Sequence, residues 1–526
     1  MKNLSNQKKL IVLIAVMFGV LLSSLDITIV STSMMGIVKD LNGFDLYAWP
    51  FTAYLMTTAI CMPLFGKFAD KFGHKLIYIL GIIVFVLGSA LCGMSQDMLQ
   101  LIIFRGIQGI GGAILTANSL SIIGVVFEPK QRAKYIALLG AAGAVASIVG
   151  PILGGYITDN YSWRWTFYIN VPIGIIALIA ILIALPKEKP EQTSKKIDIW
   201  GALTFTVGLA PMLLALTWAG NKYDWGSPQI LTMLGFSVVC LILFAFIEKH
   251  VSDPIIPLSL FKKSDFNISS VEMFLINAIV LAIMTFLPMF LQIVVGETAS
   301  HTGTLLIPIM ASTVVTSIAS GILVSKFGKY KLQIIIGFII LTISTILFAQ
   351  MGVDTAKSTV ILYMLIAGVG IGTTLPLFNT IAQNAFDESQ MGVVTSGVQF
   401  FKTLGSTLST AILGTILNAT ITDKLARINT GDLPDQVASS LKNSQVLSNP
   451  SALEAISSEL PKTLLVDFQN VVIQMKQIFS DSLVLIFTVC IGISFLTLVI
   501  SLFIKEKPFR KKRIGQSPYV RKNGTD

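Results

Sequence analysis

The sequence predicts an all-α integral membrane protein with about fourteen transmembrane helices. Three observations lead there. Of its 526 residues, 53% are hydrophobic and 13% charged, whereas soluble domains carry roughly 25% charged residues. The apolar runs are each about 20 residues long, enough to cross a bilayer, and short charged or turn-rich breaks separate them. Lysine and arginine gather in alternate breaks, as they do around helices threaded back and forth through a membrane.

The runs centre near Val20, Thr57, Val84, Gly112, Val145, Ile175, Val207, Val238, Val280, Val314, Leu341, Gly370, Thr407 and Ile493. An even number of spans puts both termini on one side. The basic ends at 8–9 and 505–513 share that side with the loops at 67–75, 130–134, 187–196, 249–263 and 326–331. The positive-inside rule makes it the cytoplasmic side of a multi-pass protein of the cell (plasma) membrane. The net charge of +10 then reports topology and contact with anionic membrane lipids, and calls for no nucleic acid. Cys61, Cys92, Cys240 and Cys490 all fall within spans, so they form no extracellular disulfide framework, and no metal-ligand spacing or cofactor motif is present. The first apolar run lacks a small-residue cleavage site and continues into a span, so it reads as a helix and not as a signal peptide.

That first span, 10–34, carries Asp26. A carboxylate deep in a membrane helix costs several kcal/mol unless it is paired, hydrated or protonated, so Asp26 is a functional candidate. The second span ends in G-K-F-A-D-K-F-G-H-K at 66–75. Gly66 and Gly73 permit close approach there, Asp70 can cap a helix or hold a cation, and Lys71 and Lys75 anchor the basic face. The pattern returns 255 residues later as G-I-L-V-S-K-F-G-K at 321–329, with Ser325 in place of Asp70. A repeated loop at matching topology implies two homologous halves.

The fourth span opens L-I-I-F-R-G-I-Q-G-I-G-G-A, with Arg105 among glycines. At 1.5 Å per residue, Asp26 lies about 12 Å from the outer end of its span and Arg105 about 10 Å from the outer end of its own. The two opposite charges reach one level, and pairing offsets much of their burial cost. Such a pair is either structural or broken and remade as Asp26 takes up a proton. In the fifth span, Gly140, Gly143, Ser147, Gly150, Pro151 and Gly154 recur at three- or four-residue steps, followed by Gly155. This small-residue stripe lets a second helix approach closely, as a fixed packing face or as an interface that rocks.

Further along, 187–198 reads as a solvated linker, and the seventh and eighth spans carry almost no interior charge, which suits a peripheral position. The ninth span holds Glu272 and the thirteenth Lys402, about 9 Å and 15 Å from their inner ends; a contact between the two across a cavity is one option and snorkelling of Lys402 another. Residues 420–481 read as a long outer segment with amphipathic helices at 453–465 and 466–479 and a floppy stretch at 431–450. A basic tail closes the chain at 505–526.

These motifs resemble those of the major facilitator superfamily. The 66–75 loop is similar to its second cytoplasmic loop, R-G-I-Q-G-I-G-G-A to its fourth-helix motif, and A-S-I-V-G-P-I-L-G-G to the fifth-helix motif of its antiporters. L-D-I-T-I-V, W-R-W-T-F-Y-I-N-V-P-I-G and the span count resemble the fourteen-span drug:proton antiporter branch, over essentially the whole chain. Two positions depart from that branch: no proline closes the first-helix motif near 33–36, and Ala146 stands where the fifth-helix motif begins with glycine. The resemblance implies two six-helix half-bundles plus two extra spans, with boundaries at 1–186, 187–250, 251–504 and 505–526. It implies proton coupling through Asp26 and Arg105 with Glu272 as a further carboxylate, a gating loop at Gly66, Asp70, Gly73 and Lys75, and an antiporter helix with Gly143, Gly150, Pro151, Gly154 and Gly155. Candidate cavity residues are Asn118, Gln292, Asn379, Gln399 and Lys402.

The leading functional reading is secondary active export of a small lipophilic or cationic substrate by a monomer, driven by protons. Export or flipping of a lipid, fatty acid or other lipophilic metabolite is the alternative. A membrane enzyme or receptor is disfavoured, because H-E-x-x-H, G-x-S-x-G and a phosphate-binding P-loop are all absent.

Overall fold

A bilayer leaves the peptide group no partner but itself, so apolar runs of this length fold as helices. The computed structural model describes residues 5–506 except 128, 187–197, 220–221, 253, 387–389, 432, 442–452, 454–455 and 459, and the side chains of 129–134, 136–137 and 462 are likewise not described. Among the described residues, fourteen helical stretches are long and apolar enough to span a membrane, and their main helices are numbered here. They are α1 (Asn6–Asp40), α2 (Trp49–Phe72), α3 (His74–Met94), α4 (Met98–Val126), α5 (Pro129–Asn160), α6 (Asn170–Ala184) and α7 (Ile199–Trp218). After them come α8 (Pro228–His250), α9 (Ser264–Met289), α10 (Ile307–Phe327), α11 (Lys331–Phe348), α12 (Lys357–Asn384), α13 (Met391–Ala426) and α14 (Leu465–Leu502). All fourteen centres read from the sequence fall inside these helices.

Packing repeats with a step of eight helices. In the first half α4 lies between α2 and α3 while α1 lies against α5 and α6; in the second, α12 lies between α10 and α11 while α9 lies against α13 and α14. Glycines make the repeat possible. A Cβ on Gly109 would stand 2.3 Å from the Tyr54 carbonyl oxygen, and one on Gly111 would stand 2.4 Å from the Phe85 nitrogen. Correspondingly, Gly368 abuts the Ile309 carbonyl at 2.4 Å and Gly370 the Leu341 nitrogen at 2.8 Å. Each glycine pair lets its helix seat against two neighbouring backbones at once. The two six-helix half-bundles are therefore alike in packing as well as in their loops. Gly73 and Gly328, the glycines of the repeated K-F-G step, both take positive φ, 93° and 67°, where they end α2 and α10.

Hydrogen bonds between the halves, among the described residues, lie toward the end opposite the basic loops, here called the far end. Tyr47 Oη donates to the Thr285 carbonyl at 2.9 Å, Gln292 Nε2 to that of Thr32 at 3.2 Å, and Thr52 Oγ1 to Thr410 Oγ1 at 3.4 Å. Asp159 accepts from the first amides of the short helix Ala299–Leu305, Ala299 N at 3.3 Å and Ser300 N at 2.7 Å. Nearer the basic end, glycines 66, 140, 321 and 392 have no atom within 4 Å of a Cβ position. Among the described residues, the halves are therefore joined at the far end.

Three sequence readings change. The extra spans are unequal: α8 lies on the outside, but α7 packs against both α2 and α13, so it occupies a seam and not the periphery. Residues 466–479 form no separate amphipathic helix; they are the opening turns of α14, which runs unbroken from Leu465 to Leu502. The apolar residues Phe468, Val471, Met475 and Phe479 are buried there against the second half-bundle, which extends the span past the bilayer. The stretch 431–450 includes an ordered helix, Asp435–Leu441. Most of the 187–198 linker and the tail beyond 506 lie outside the described residues, as do 454–455 and 459 of the amphipathic segment at 453–465, whose Leu453, Ile456, Leu460 and Leu464 pack on the core of the second half.

Candidate functional site

Five helices of the first half converge on Asp26. The carboxylate is fully buried, and so are Arg105, Gln108, Asn170 and Ser89 around it. Arg105 Nη1 forms an ion pair with Asp26 Oδ2. The other carboxylate oxygen accepts from Gln108 Nε2 at 2.7 Å and from Asn170 Nδ2 at 3.1 Å. Gln108 also accepts from Arg105 Nη1 at 2.7 Å, so the two residues, three apart on one face of α4, grip Asp26 together.

Backbone carbonyls, an aromatic ring and a hydroxyl supply the remaining partners. Arg105 Nε donates to the Pro50 carbonyl at 3.3 Å. Its guanidinium lies 4.3 Å from the Tyr54 ring centroid, a cation–π contact strengthened by exclusion of water. Asn170 donates also to Ser89 Oγ at 3.1 Å, and Ser89 donates to the Phe167 carbonyl at 2.8 Å. Arg105 Nη2 and Asn170 Oδ1 are buried without a partner. A buried ion pair is held by the hydrogen bonds around it, so neutralising Asp26 weakens several contacts together.

Sequence reasoning placed Asp26 and Arg105 at one depth, and the structure joins them. It passed over Gln108 and Asn170, although both stand in the quoted motifs R-G-I-Q and F-Y-I-N-V-P. Burial of an amide beside a charged pair is a tertiary fact with no periodic signature. The W-R-W motif serves the far end: Trp163 Nε1 and Arg164 Nη1 donate to Asp40 Oδ2 at 2.9 and 2.7 Å, and Arg164 Nη2 donates to the Ser95 carbonyl at 3.0 Å.

The small-residue helix α5 is used in its far portion. A Cβ on Gly150 would lie 2.0 Å from Thr28 Oγ1, and one on Gly154 2.3 Å from the Ile29 carbonyl, so both seat on α1. Hydroxyls of α1 follow α5 along its carbonyls: Thr28 to Ala146 at 3.3 Å, Thr32 to Pro151 at 3.2 Å and Ser33 to Gly154 at 3.1 Å. Gly155 and Pro151 face the second half instead, against Ala299 and Gly303. Gly143 has loose neighbours, the nearest at 3.7 Å, and Gly140 has none within 4 Å. Gly66 is likewise open, which corrects the reading of that glycine as a close-approach residue. In the same loop Lys75 Nζ donates to the Leu182 carbonyl at 2.8 Å.

In the second half, Glu272 is fully buried with both carboxylate oxygens unpartnered, so a Glu272–Lys402 ion pair does not form. Lys402 is half-buried on α13. The remaining cavity candidates scatter. Asn118 is fully buried and bonded to its own helix at Ile114, Gln292 ties α1 to the second half, and Asn379 and Gln399 are half-buried. Among the described residues, no group of three or more His, Cys, Asp or Glu could hold a metal ion.

A two-fold repeated helical bundle, joined across its halves at the far end and holding a buried charge network within one half, is the build of a membrane transporter. The chain belongs to the Major Facilitator Superfamily, whose family model matches residues 16–410. It is a transporter and not an enzyme. It is similar to the "Multidrug transporter protein MdtP" of Bacillus subtilis (strain 168), 37% identical over 519 residues that cover 96% of this chain and 95% of that one. It is also similar to "Multidrug resistance protein 3" of the same organism, 37% identical over 414 residues, with 79% and 80% covered. Among solved structures, a bacterial homologue of the human lysosomal transporter Spinster, inward-facing and unoccupied, superposes with a TM-score of 0.62 at 16% identity, covering 95% of this chain and 98% of that one.

Proposed function

We propose that the chain is a proton-coupled exporter of lipophilic or cationic small molecules, working by alternating access in the plasma membrane with both termini cytoplasmic. The observation that carries the reading is Asp26, fully buried and held by Arg105, Gln108 and Asn170. A carboxylate buried at membrane depth is costly unless it is paired, and one enclosed by three donors serves as a proton-dependent fastener. Protonation of Asp26 cancels the charge that Arg105 pairs with and loosens α1 from α4. Because α1 is also seated on α5 through Gly150 and Gly154, a shift in α1 is passed to the helix that meets the second half at Ala299 and Gly303. The relatives named for multidrug transport and resistance support efflux.

Within this reading the halves 1–186 and 251–504 rock as units, and the loop with Gly66, Asp70, Gly73 and Lys75 forms part of the basic-end gate. Glu272 is the second carboxylate available to protons, and Lys402 faces the route of the substrate with Gln399 on the same helix. The test is transport by the purified full chain in liposomes, with an imposed proton gradient and tetraphenylphosphonium as substrate. Accumulation that follows the gradient and ends when an ionophore collapses it supports the reading; accumulation indifferent to the ionophore refutes it.

A further inference from the structure

The two half-bundles leave two seams between them, α2 against α13 and α5 against the short helix Ala299–Leu305 with α10, and these seams are related by the internal repeat. Both are closed at the far end, the first by Gly414 on Ala48 and the second by Gly155 on Ala299 and Gly303 on Pro151. Toward the basic end they differ. Along the face of α5 that starts at Gly155, burial falls away step by step: Pro151 is buried, Ile148 and Ala144 half-buried, Ala141 and Gly140 exposed. Along α10 the same gradient runs from buried Met310 through half-buried Val314 to Ile318, which is 61% exposed, and exposed Gly321. The walls of this wedge are mostly aliphatic, with half-buried Ser147, whose hydroxyl donates to the Gly143 carbonyl at 3.0 Å, and half-buried Ser317 along them. Ala144 lies ten residues, about 15 Å, past Lys134, the last charged residue before the span, and the exposed side chains beside the opening, Val145 and Val149 on α5 and Val315 on α10, are aliphatic, as at a surface that meets hydrocarbon.

On the other seam, α7 fills the corresponding space. Phe205, Leu209 and Leu213 form one cluster with Ile60 and Leu64 of α2, Phe400, Phe401 and Leu404 of α13, and Phe244 of α8. Phe205 lies 5.7 Å from the Phe400 ring centroid and 5.1 Å from that of Phe244. Farther out, Thr415 Oγ1 donates to the Thr217 carbonyl at 2.9 Å, which stitches α13 to the end of α7.

We infer that the α5–α10 wedge is a lateral portal that admits a membrane-dissolved amphiphile from the leaflet at the basic end, and that α7 plugs the equivalent opening between α2 and α13. The extra pair of spans thereby makes access one-sided. The inference rests on the efflux reading and adds the route and the source: a molecule taken from lipid, since mostly aliphatic walls at hydrocarbon depth offer little to a hydrated ion.

The test is photo-crosslinking in the full chain, reconstituted in phosphatidylethanolamine–phosphatidylglycerol liposomes with tritiated decyl-triphenylphosphonium. Benzoylphenylalanine replaces Ala144, Val314, Leu64 or Leu404, one at a time. Label at 144 and 314 is expected to exceed that at 64 and 404 several-fold and to be competed away by unlabelled cation. In a chain that also carries Phe205→Ala and Leu209→Ala, label at 404 is expected to rise toward the portal level. Equal label on the two seams of the otherwise unchanged chain overturns the portal, and unchanged label at 404 in the plug variant overturns the role of α7. Export of the cation by the wild-type chain is measured in the same liposomes. If there is none, the efflux reading fails and the portal with it; if export is normal and the seams label alike, the portal alone fails.

Discussion

Gln108 Nε2 donates to Asp26 Oδ1 at 2.7 Å, on the oxygen that Arg105 leaves free. The amide thus completes the enclosure of the carboxylate, and its own oxygen is occupied by Arg105. A hydrogen bond to a charged group contributes about 1.5–3 kcal/mol. Gln108→Ala is expected to lower export by roughly ten-fold or more, with normal membrane insertion. Initial rates at matched protein level check this; unaltered rates would make Gln108 a bystander.

Arg105→Ala removes one partner of a buried pair and leaves the other charge stranded, a loss of about 3–5 kcal/mol. The expected result is poor yield and a lowered melting temperature. Asp26→Asn combined with Arg105→Ala is expected to recover yield and to remain without export. Thermal melts in detergent and the liposome assay separate the two effects, and recovery of export by the double variant would contradict a coupling role for the pair.

The stripe on α5 divides into a tight part and a loose part. Gly150→Leu and Gly154→Leu are expected to abolish export, since even a Cβ at either site would meet Thr28 or Ile29 closer than 2.5 Å. Gly140→Ala is expected to behave like the wild type, because no atom lies within 4 Å of the added carbon. The comparison is export rate against surface expression for the three variants. Similar losses in all of them would mean that the close α1–α5 contact is not what matters.

The repeated loops make a parallel case. Gly73→Ala forces a positive φ of 93° on a residue with a side chain and is expected to destabilise by about 1 kcal/mol. Gly66→Ala is expected to be silent, as the position is open. In the proposed gate, Asp70→Ala is expected to reduce export more than Ser325→Ala, since only the first removes a charge. Melting curves and transport rates for the four variants check both points.

At the far end, Glu297 joins the start of α12 to the short helix Ala299–Leu305, through Lys357 and through His301 Nδ1 at 3.1 Å. The hydrogen bond from Lys357 holds its carboxyl below the ordinary value of 4.5. A depressed carboxyl stabilises the fold above its unfolded value, and the contribution is lost as pH falls through the lower folded value. Stability of the wild type is therefore expected to drop on acidification below about 4.5 more steeply than that of Glu297→Gln. Melting temperatures across that window decide it; parallel curves would assign the acid sensitivity elsewhere.

Much of this architecture was legible because a bilayer imposes strong rules. Span length, the K-F-G repeat and the depth of Asp26 and Arg105 all follow from local sequence and rise per residue. What was not legible depends on neighbours distant in the chain. Apolar residues of 466–479 alternate with polar ones as in an interfacial helix, yet they continue α14 and bury Phe468, Val471, Met475 and Phe479 on the second half-bundle. The seventh span lacks interior charge as a peripheral helix would, yet Phe205 and Leu209 fill a seam. Gly140 and Gly150 look alike in the stripe, and only the position of α1 distinguishes them. Gln108 and Asn170 are ordinary amides until three other helices close around them.

The central claim is that the transported proton resides on Asp26, and proton movement measures it most directly. Liposomes containing the full chain and a trapped pH dye are loaded with tetraphenylphosphonium, and proton flux is recorded with substrate flux for the wild type and for Asp26→Asn. The account predicts that the two fluxes run together in the wild type and that both vanish in Asp26→Asn, while binding of the cation to that variant stays measurable by calorimetry. The amide mimics the protonated acid and holds the transporter in one state without unfolding it. Proton-driven export by Asp26→Asn with an ordinary pH dependence would contradict the account and direct attention to Glu272.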